Sequence, residues 1–314
     1  MKNPIFTLTT LAVLGMSTLH AQVKIGNNPT NIDASAELEV ESSNKGFLPP
    51  RMSTANRNGI SSPAEGLVIY NLTDNQLEFY NGTSWISVIS GLITSGPCAG
   101  EATTFMFSGK EYGLVGSSGK CWLDRNLGAS RVATSSNDVN SYGDLYQWGR
   151  AADGHEKRTS PTHDGTTNRP STITETGAWD GKFITIPNNT NRNDWVTTQT
   201  DDAWNTGTAG APIKTATDPC PSGFRLPTQA EWNAERLSWN SNNSAGAYAS
   251  PLKLPEAGGR DRMSGSILNA GSVGRYWSST HSGADARYLF FNSLGATTNP
   301  ILRVIGHSVR CIKD

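Results

Sequence analysis

The chain has 314 residues, with 26 basic and 27 acidic side chains and a net charge of −1. That balance leaves no electrostatic footprint for nucleic acid or an anionic membrane. Charged residues make up 17 %, against ~25 % in ordinary soluble domains; Ser, Thr and Asn take about 29 %, and 32 Gly and 16 Pro add turn formers, so the chain is poor in helix formers.

Residues 1–21 read as a signal peptide. Lys2 precedes a short, mostly apolar run from Ile5 to Leu14, and Leu19-His20-Ala21 before Gln22 is close to a small-residue cleavage site. The run is too short to span a bilayer, and no other stretch reaches ~18 apolar residues. The expected location is therefore secreted, periplasmic or outer-surface. An exported chain with four cysteines, Cys98, Cys121, Cys220 and Cys311, points to disulfides. Three connectivities are open. The pairing Cys98–Cys121 with Cys220–Cys311 is preferred, because one bridge closes a local loop and the other ties the start of a helix to the last strand. A zinc site lacks any CxxC pair.

Residues 22–91 read as a small β stalk or attachment module. Leu67–Tyr70, Leu77–Tyr80 and Trp85–Val88 are short strand-like runs, and Asn81-Gly82 is a hairpin signal. Gly46–Met52, with Pro49-Pro50, should be extended. One apolar face in about 70 residues calls for a partner surface. After a linker over 92–97, the second unit, 92–314, carries strand candidates at 103–107, 121–123, 145–148, 275–278, 286–291, 302–305 and 308–312. One helix follows Pro227, where Thr228 and Glu231 make a capping box. Residues 151–218 show little periodicity but hold Trp179, Trp195 and Trp204, which reads as ordered loops pinned by tryptophans. Stacking of these three on sugar rings is the alternative.

No Gly-x-Ser-x-Gly elbow is present. His155 with Glu156 and His163 with Asp164 have the chemistry for metal or acid–base work but no second motif, so they read as solvated loop residues. Calcium needs clustered oxygens, for which Asn193-Asp194-Trp195 and Asp201-Asp202 are the nearest candidates. The expectation is no cofactor, with a structural calcium left open.

Two resemblances add to this. Cys121-Trp122-Leu123-Asp124-Arg125-Asn126-Leu127-Gly128, Tyr142–Gly149, Cys220-Pro221-Ser222-Gly223-Phe224-Arg225-Leu226-Pro227-Thr228, Tyr276-Trp277-Ser278-Ser279 and Gly306–Cys311 resemble, in order and spacing, the Fibrobacter succinogenes major paralogous domain of Bacteroidetes surface proteins. That resemblance covers nearly all of 98–314. It implies a C-type lectin-like, α+β domain with long loops and a disulfide matching Cys220–Cys311. Formylglycine-generating enzymes share that fold but need a reactive cysteine pair near the C-terminus, where this chain has only Cys311; a non-enzymatic protein is expected. Lys45–Met52, Ser62–Asn71 and Phe79–Trp85 resemble a segment that precedes such domains and occurs in phage tail-fibre-like proteins, which allows a homotrimer through the N-terminal module.

In diversified lectin-like relatives the strands before the terminal cysteine carry the ligand surface. By that resemblance Trp277, His281, Arg287, Asn292, Asn299 and Arg303 form the candidate binding face for a protein or glycan, although Trp277 lies in a run that also fits a core strand. The expected function is adhesin-like recognition. A structural filament or tail-fibre-like component, and an enzyme related to sulfatase-modifying factors, are the alternatives.

Overall fold

The computed structural model describes residues 23–26, 31–88, 92–93, 95–187 and 194–314. The signal-peptide segment lies outside the described residues. Two compact units divide between Arg51 and Met52.

In the first unit, Val23–Ile25 pairs in parallel with Leu38–Val40, Val23 opposite Leu38 and Ile25 opposite Val40. Lys24 is tied to Glu39 at 2.9 Å and Glu41 at 3.0 Å. The other side of this two-stranded ribbon is apolar.

The second unit starts with an antiparallel meander, Val68–Asn71, Gln76–Tyr80 and Trp85–Ser87. Asn81 makes the turn the sequence announced: its Oδ1 accepts from the amides of Thr83 and Ser84. A five-residue helix, Thr54–Asn58, brings Arg57 under the sheet. There its guanidinium meets Glu78 at 2.5 Å, both side chains fully enclosed. Asn71 and Gln76 donate to the same carboxylate, so the buried pair is satisfied on both sides, the condition under which such a pair persists.

Beyond the meander, a five-stranded sheet runs in the order Phe224–Arg225, Ile312–Lys313, Lys120–Leu123, Lys110–Ser117, Thr104–Phe107. Lys110–Ser117 escapes a reading of propensities because it contains Gly113 and Gly116. Both glycines are required by close approach. A Cβ at 113 would lie 2.8 Å from Asp124 Oδ2, and one at 116 would lie 2.9 Å from Pro97 Cδ. Three long strands, Val273–Ser282, Asp285–Asn292 and Ala296–Leu302, form an antiparallel meander. Pro300 is tolerated in the last because that strand is an edge. Both faces of the middle strand are covered. Leu289 and Phe291 pack with Trp122, Trp232 and Trp239, while Ala286 and Tyr288 pack with Trp148, Trp204 and Trp277.

The final segment joins these sheets. Gly306–His307 pairs with Tyr146–Gln147, and Gly306 also pairs with Arg260. Ser308 bridges Tyr276 in parallel. Val309 and Cys311 accept from the amides of Leu127 and Leu123, and Ile312 lies between Trp122 and Arg225.

Strands take about 31 % of the described residues and helices 8 %. The α+β, C-type lectin-like class expected from the sequence is therefore corrected to a β-rich fold. The capping box at Thr228 and Glu231 is present, but the helix it starts, Gln229–Leu237, has nine residues, and Ser244–Ala249 has six. The polar stretches, rich in Ser, Thr, Asn and Gly, satisfy their backbones in turns instead of propagating helix. Trp179, Trp195 and Trp204 are buried and anchor the loops of 151–187 and 194–218. Their indole nitrogens donate to Glu175, Trp148 and Thr217 carbonyls. Among the described residues no helix is long and apolar enough to cross a membrane.

The structure joins Cys98 to Cys121 and Cys220 to Cys311, across 23 and 91 residues. Chain entropy assigns roughly 3 kcal/mol to the shorter loop and roughly 4–5 kcal/mol to the longer. Replacing Cys220 and Cys311 together by Ala should therefore lower the unfolding free energy, measured in urea, more than replacing Cys98 and Cys121. The opposite ranking would contradict this assignment.

Candidate functional site

The six residues of the expected binding face do not share one surface. Trp277 is fully buried, its indole nitrogen donating to Tyr146 O at 2.7 Å. Arg303 is fully buried too. Its guanidinium lies 4.5 Å over the Trp148 ring and donates to the carbonyls of Thr200 and Gly283 and to Asp201 Oδ1 at 2.6 Å. His281 is exposed, with Nδ1 3.8 Å from Asp201 Oδ2. Asn292 closes the hairpin by accepting from the amides of Leu294 and Gly295. Arg287 is opposite Pro300, and Asn299 is opposite Tyr288. Because side chains alternate along a strand, Arg287 projects from the face opposite that of Asn292 and Asn299.

Arg303 gathers what the sequence offered as a calcium site. Asp194 Oδ2 is 3.7 Å from Nη1, and Asp201 is bonded to Nη2. The guanidinium thus supplies the positive charge between these two carboxylates. Asn193 lies outside the described residues. Burial raises the Asp194 carboxyl to about 6, against the opposing pull of Arg303.

Among the described residues one group has metal-ligand composition, Asp153, His155 and Glu156. His155 is not solvated, as the sequence suggested, but completely enclosed. Its Nδ1 is 2.7 Å from Asp153 Oδ1, and its Nε2 accepts from the Gln147 amide at 3.1 Å. Glu156 accepts from the Gly154 amide and pairs with Lys157. Both ring nitrogens are engaged, so the histidine serves as a buried brace. Burial, followed by the nearby Arg150 charge, lowers its pKa to about 4 and keeps the ring neutral. His163 bonds to Asn168 O at 2.7 Å, and Asp164 to the Thr166 amide.

A residue that the sequence reading passed over is His307. It is fully buried between aromatic rings, beside a cavity that Arg275 also lines. Its only sequence signal is its place in the Gly306–Cys311 motif, four residues before the last cysteine.

Comparison with known families matches residues 24–103, about a quarter of the chain, to a phage tail-like trimerisation region. No curated protein and no solved structure matches the chain. These comparisons give no support to the paralogous-domain and lectin-like resemblance of residues 98–314.

Asp194 and His155 oppose one another in pH dependence. The folded state binds the Asp194 proton more tightly than the unfolded chain, so its stabilisation is complete below about 4 and is lost as pH rises through about 6. The folded state holds His155 neutral, so stability from that group falls as pH drops from 6.5 through about 4. Removing Asp194 exposes its share. Between pH 4 and 7, Asp194→Asn should gain about 3 kcal/mol relative to the wild type, read from urea unfolding at each pH. A difference that stays constant with pH would contradict the assignment.

Proposed function

We propose that the chain is a homotrimeric, tail-fibre-like structural component, with the trimer contacts supplied by residues of the 24–103 region. One observation carries this reading beyond the family match: the uncovered face of the parallel ribbon. Val23, Ile25, Leu38 and Val40 are 43–59 % exposed, and the in-register pairing sets all four on one side. Parallel strands ordinarily have both faces covered, and a two-stranded ribbon alone is marginal in water. Copies of the same chain offer a matching apolar surface and give the ribbon the cover it needs. Phe47 and Leu48, each 68 % exposed, add apolar surface in the same region.

The same reading includes an exported protein without enzymatic activity or cofactor. Two disulfides support an oxidising compartment. An adhesin-like role for residues 92–314 stands behind the structural one. Exposed His281 and Asn299 and half-buried Arg287 and Asn292 favour it, but buried Trp277 and Arg303 have no surface to offer a partner.

Sedimentation equilibrium of the chain at micromolar concentration should give three chain masses. The double variant Ile25→Lys and Val40→Lys, with folding verified by circular dichroism, should give one. A wild-type monomer, or a trimer indifferent to both lysines, would overturn the proposal.

A further inference from the structure

We propose that the cavity beside His307 is a binding site for a small hydroxy-carboxylate, either a free hydroxy acid or a uronic acid unit of a glycan, and this inference does not rest on the trimer reading. The cavity holds about 110 Å³ and is lined by Gly259, Arg260, Leu268, Arg275, Ile301 and His307, with Asp261 and Ile305 completing its wall. An engineered apolar cavity of ~150 Å³ takes up benzene, so this space suits a single small ring or a short acid.

His307 makes the site a polar one. The residue is fully buried, and its Nε2 has no hydrogen-bond partner among the described residues. The ring is packed between two aromatic side chains. Its centroid lies 4.4 Å from that of Trp277 and 4.8 Å from that of Tyr288. Nδ1 has Gly306 O at 3.3 Å, which favours the Nδ1–H tautomer and leaves Nε2 as a bare acceptor. An enclosed acceptor without a partner is destabilising. A ligand hydroxyl would satisfy it.

Arg275 supplies the second contact. Its Nη2 donates to the neutral Asn269 Oδ1 at 3.0 Å, and no carboxylate pairs with it among the described residues. Arg260, by contrast, is already committed to Gly265 O, Lys157 O and Ser160. The free donors of a guanidinium fork match a carboxylate. Gly259 leaves space open between the two side chains: a Cβ there would sit 3.3 Å from Arg275 Cδ and 3.5 Å from His307 Nδ1. Leu268, Ile301 and Ile305 offer apolar wall for the carbon skeleton. Hydroxyl to Nε2, carboxylate to Arg275 and carbon against isoleucine together define the ligand class.

Titration calorimetry of the full chain with sodium D-galacturonate, sodium L-lactate and D-galactose tests the site. At least one acid should bind at millimolar concentration or better, and neutral galactose at least tenfold more weakly. Galacturonate preferred over lactate would assign a glycan source, and the reverse a free acid. Arg275→Gln should weaken acid binding at least tenfold. His307→Phe should do the same while melting no lower than the wild type, since it removes an unsatisfied polar group. If that variant does not fold, the ring 15N resonance of Nε2 in the wild type must shift on adding the acid. No binding of either acid, galactose binding as well as the acids, or unchanged acid binding in Arg275→Gln would overturn the proposal.

Discussion

The compact unit depends on one buried strand segment near the C-terminus, and within it on the enclosure of Arg310. That guanidinium is fully buried, and its partners are neutral: Asn126 Oδ1 accepts twice, and the carbonyls of Leu123 and Leu252 accept once each. Burial lowers its pKa to about 10. A desolvated cation without a carboxylate needs hydrogen-bond acceptors in place of water, and here each of its three nitrogens has one. The acceptors therefore dictate the path of three separate segments. Asn126 in turn donates to Tyr142 O and Tyr276 Oη, and Tyr276 donates to Pro255 O. This network and the Cys220–Cys311 bridge fix the segment from Gly306 to Lys313, which supplies an inner strand to two sheets and bridges the edge strand of a third.

The N-terminal unit follows a different logic. Its parallel ribbon buries little of its own apolar surface, and four aliphatic side chains stand in water on one side. The larger unit satisfies its main buried charges internally: Arg57 by Glu78, Arg303 by Asp201 and backbone carbonyls, with the buried His155 held by Asp153 and a backbone amide. A chain built of one self-sufficient body and one segment that lacks cover suits assembly. At the His307 cavity, by contrast, a buried polar atom is left without a hydrogen-bond partner among the described residues, as are Asp194 Oδ1, Asp285 Oδ1 and Ser308 Oγ elsewhere in the larger unit.

Local chemistry was legible in the sequence where a signal is complete within a few residues. The Thr228–Glu231 capping box, the Asn81-Gly82 turn and the aromatic strands of the first meander all form where their residues indicate. The loop tryptophans were legible as anchors because large aromatics rarely stay in water. Long-range partnership was not legible. Arg303 and Trp277 look like recognition residues in isolation, and only the approach of Asp201 and Tyr146 makes them interior. His155 is adjacent to acids in sequence, and Asp153 is one of its ring partners, but the second, the Gln147 amide, comes from the neighbouring strand. Glycines in Lys110–Ser117 and a proline in Ala296–Leu302 masked two strands whose formation depends on close packing and on an edge position.

Native-state hydrogen exchange tests the central role of the C-terminal segment most directly. The amides of Leu123, Leu127, Trp277 and Ser308 bond to Cys311 O, Val309 O, Ser308 O and Arg275 O, each at 3.0 Å. If this segment holds the sheets together, all four should exchange only through global unfolding, with one common free energy and one common denaturant dependence. Exchange of these four through a smaller opening, while the hairpin Val273–Asn292 stays protected, would contradict the account.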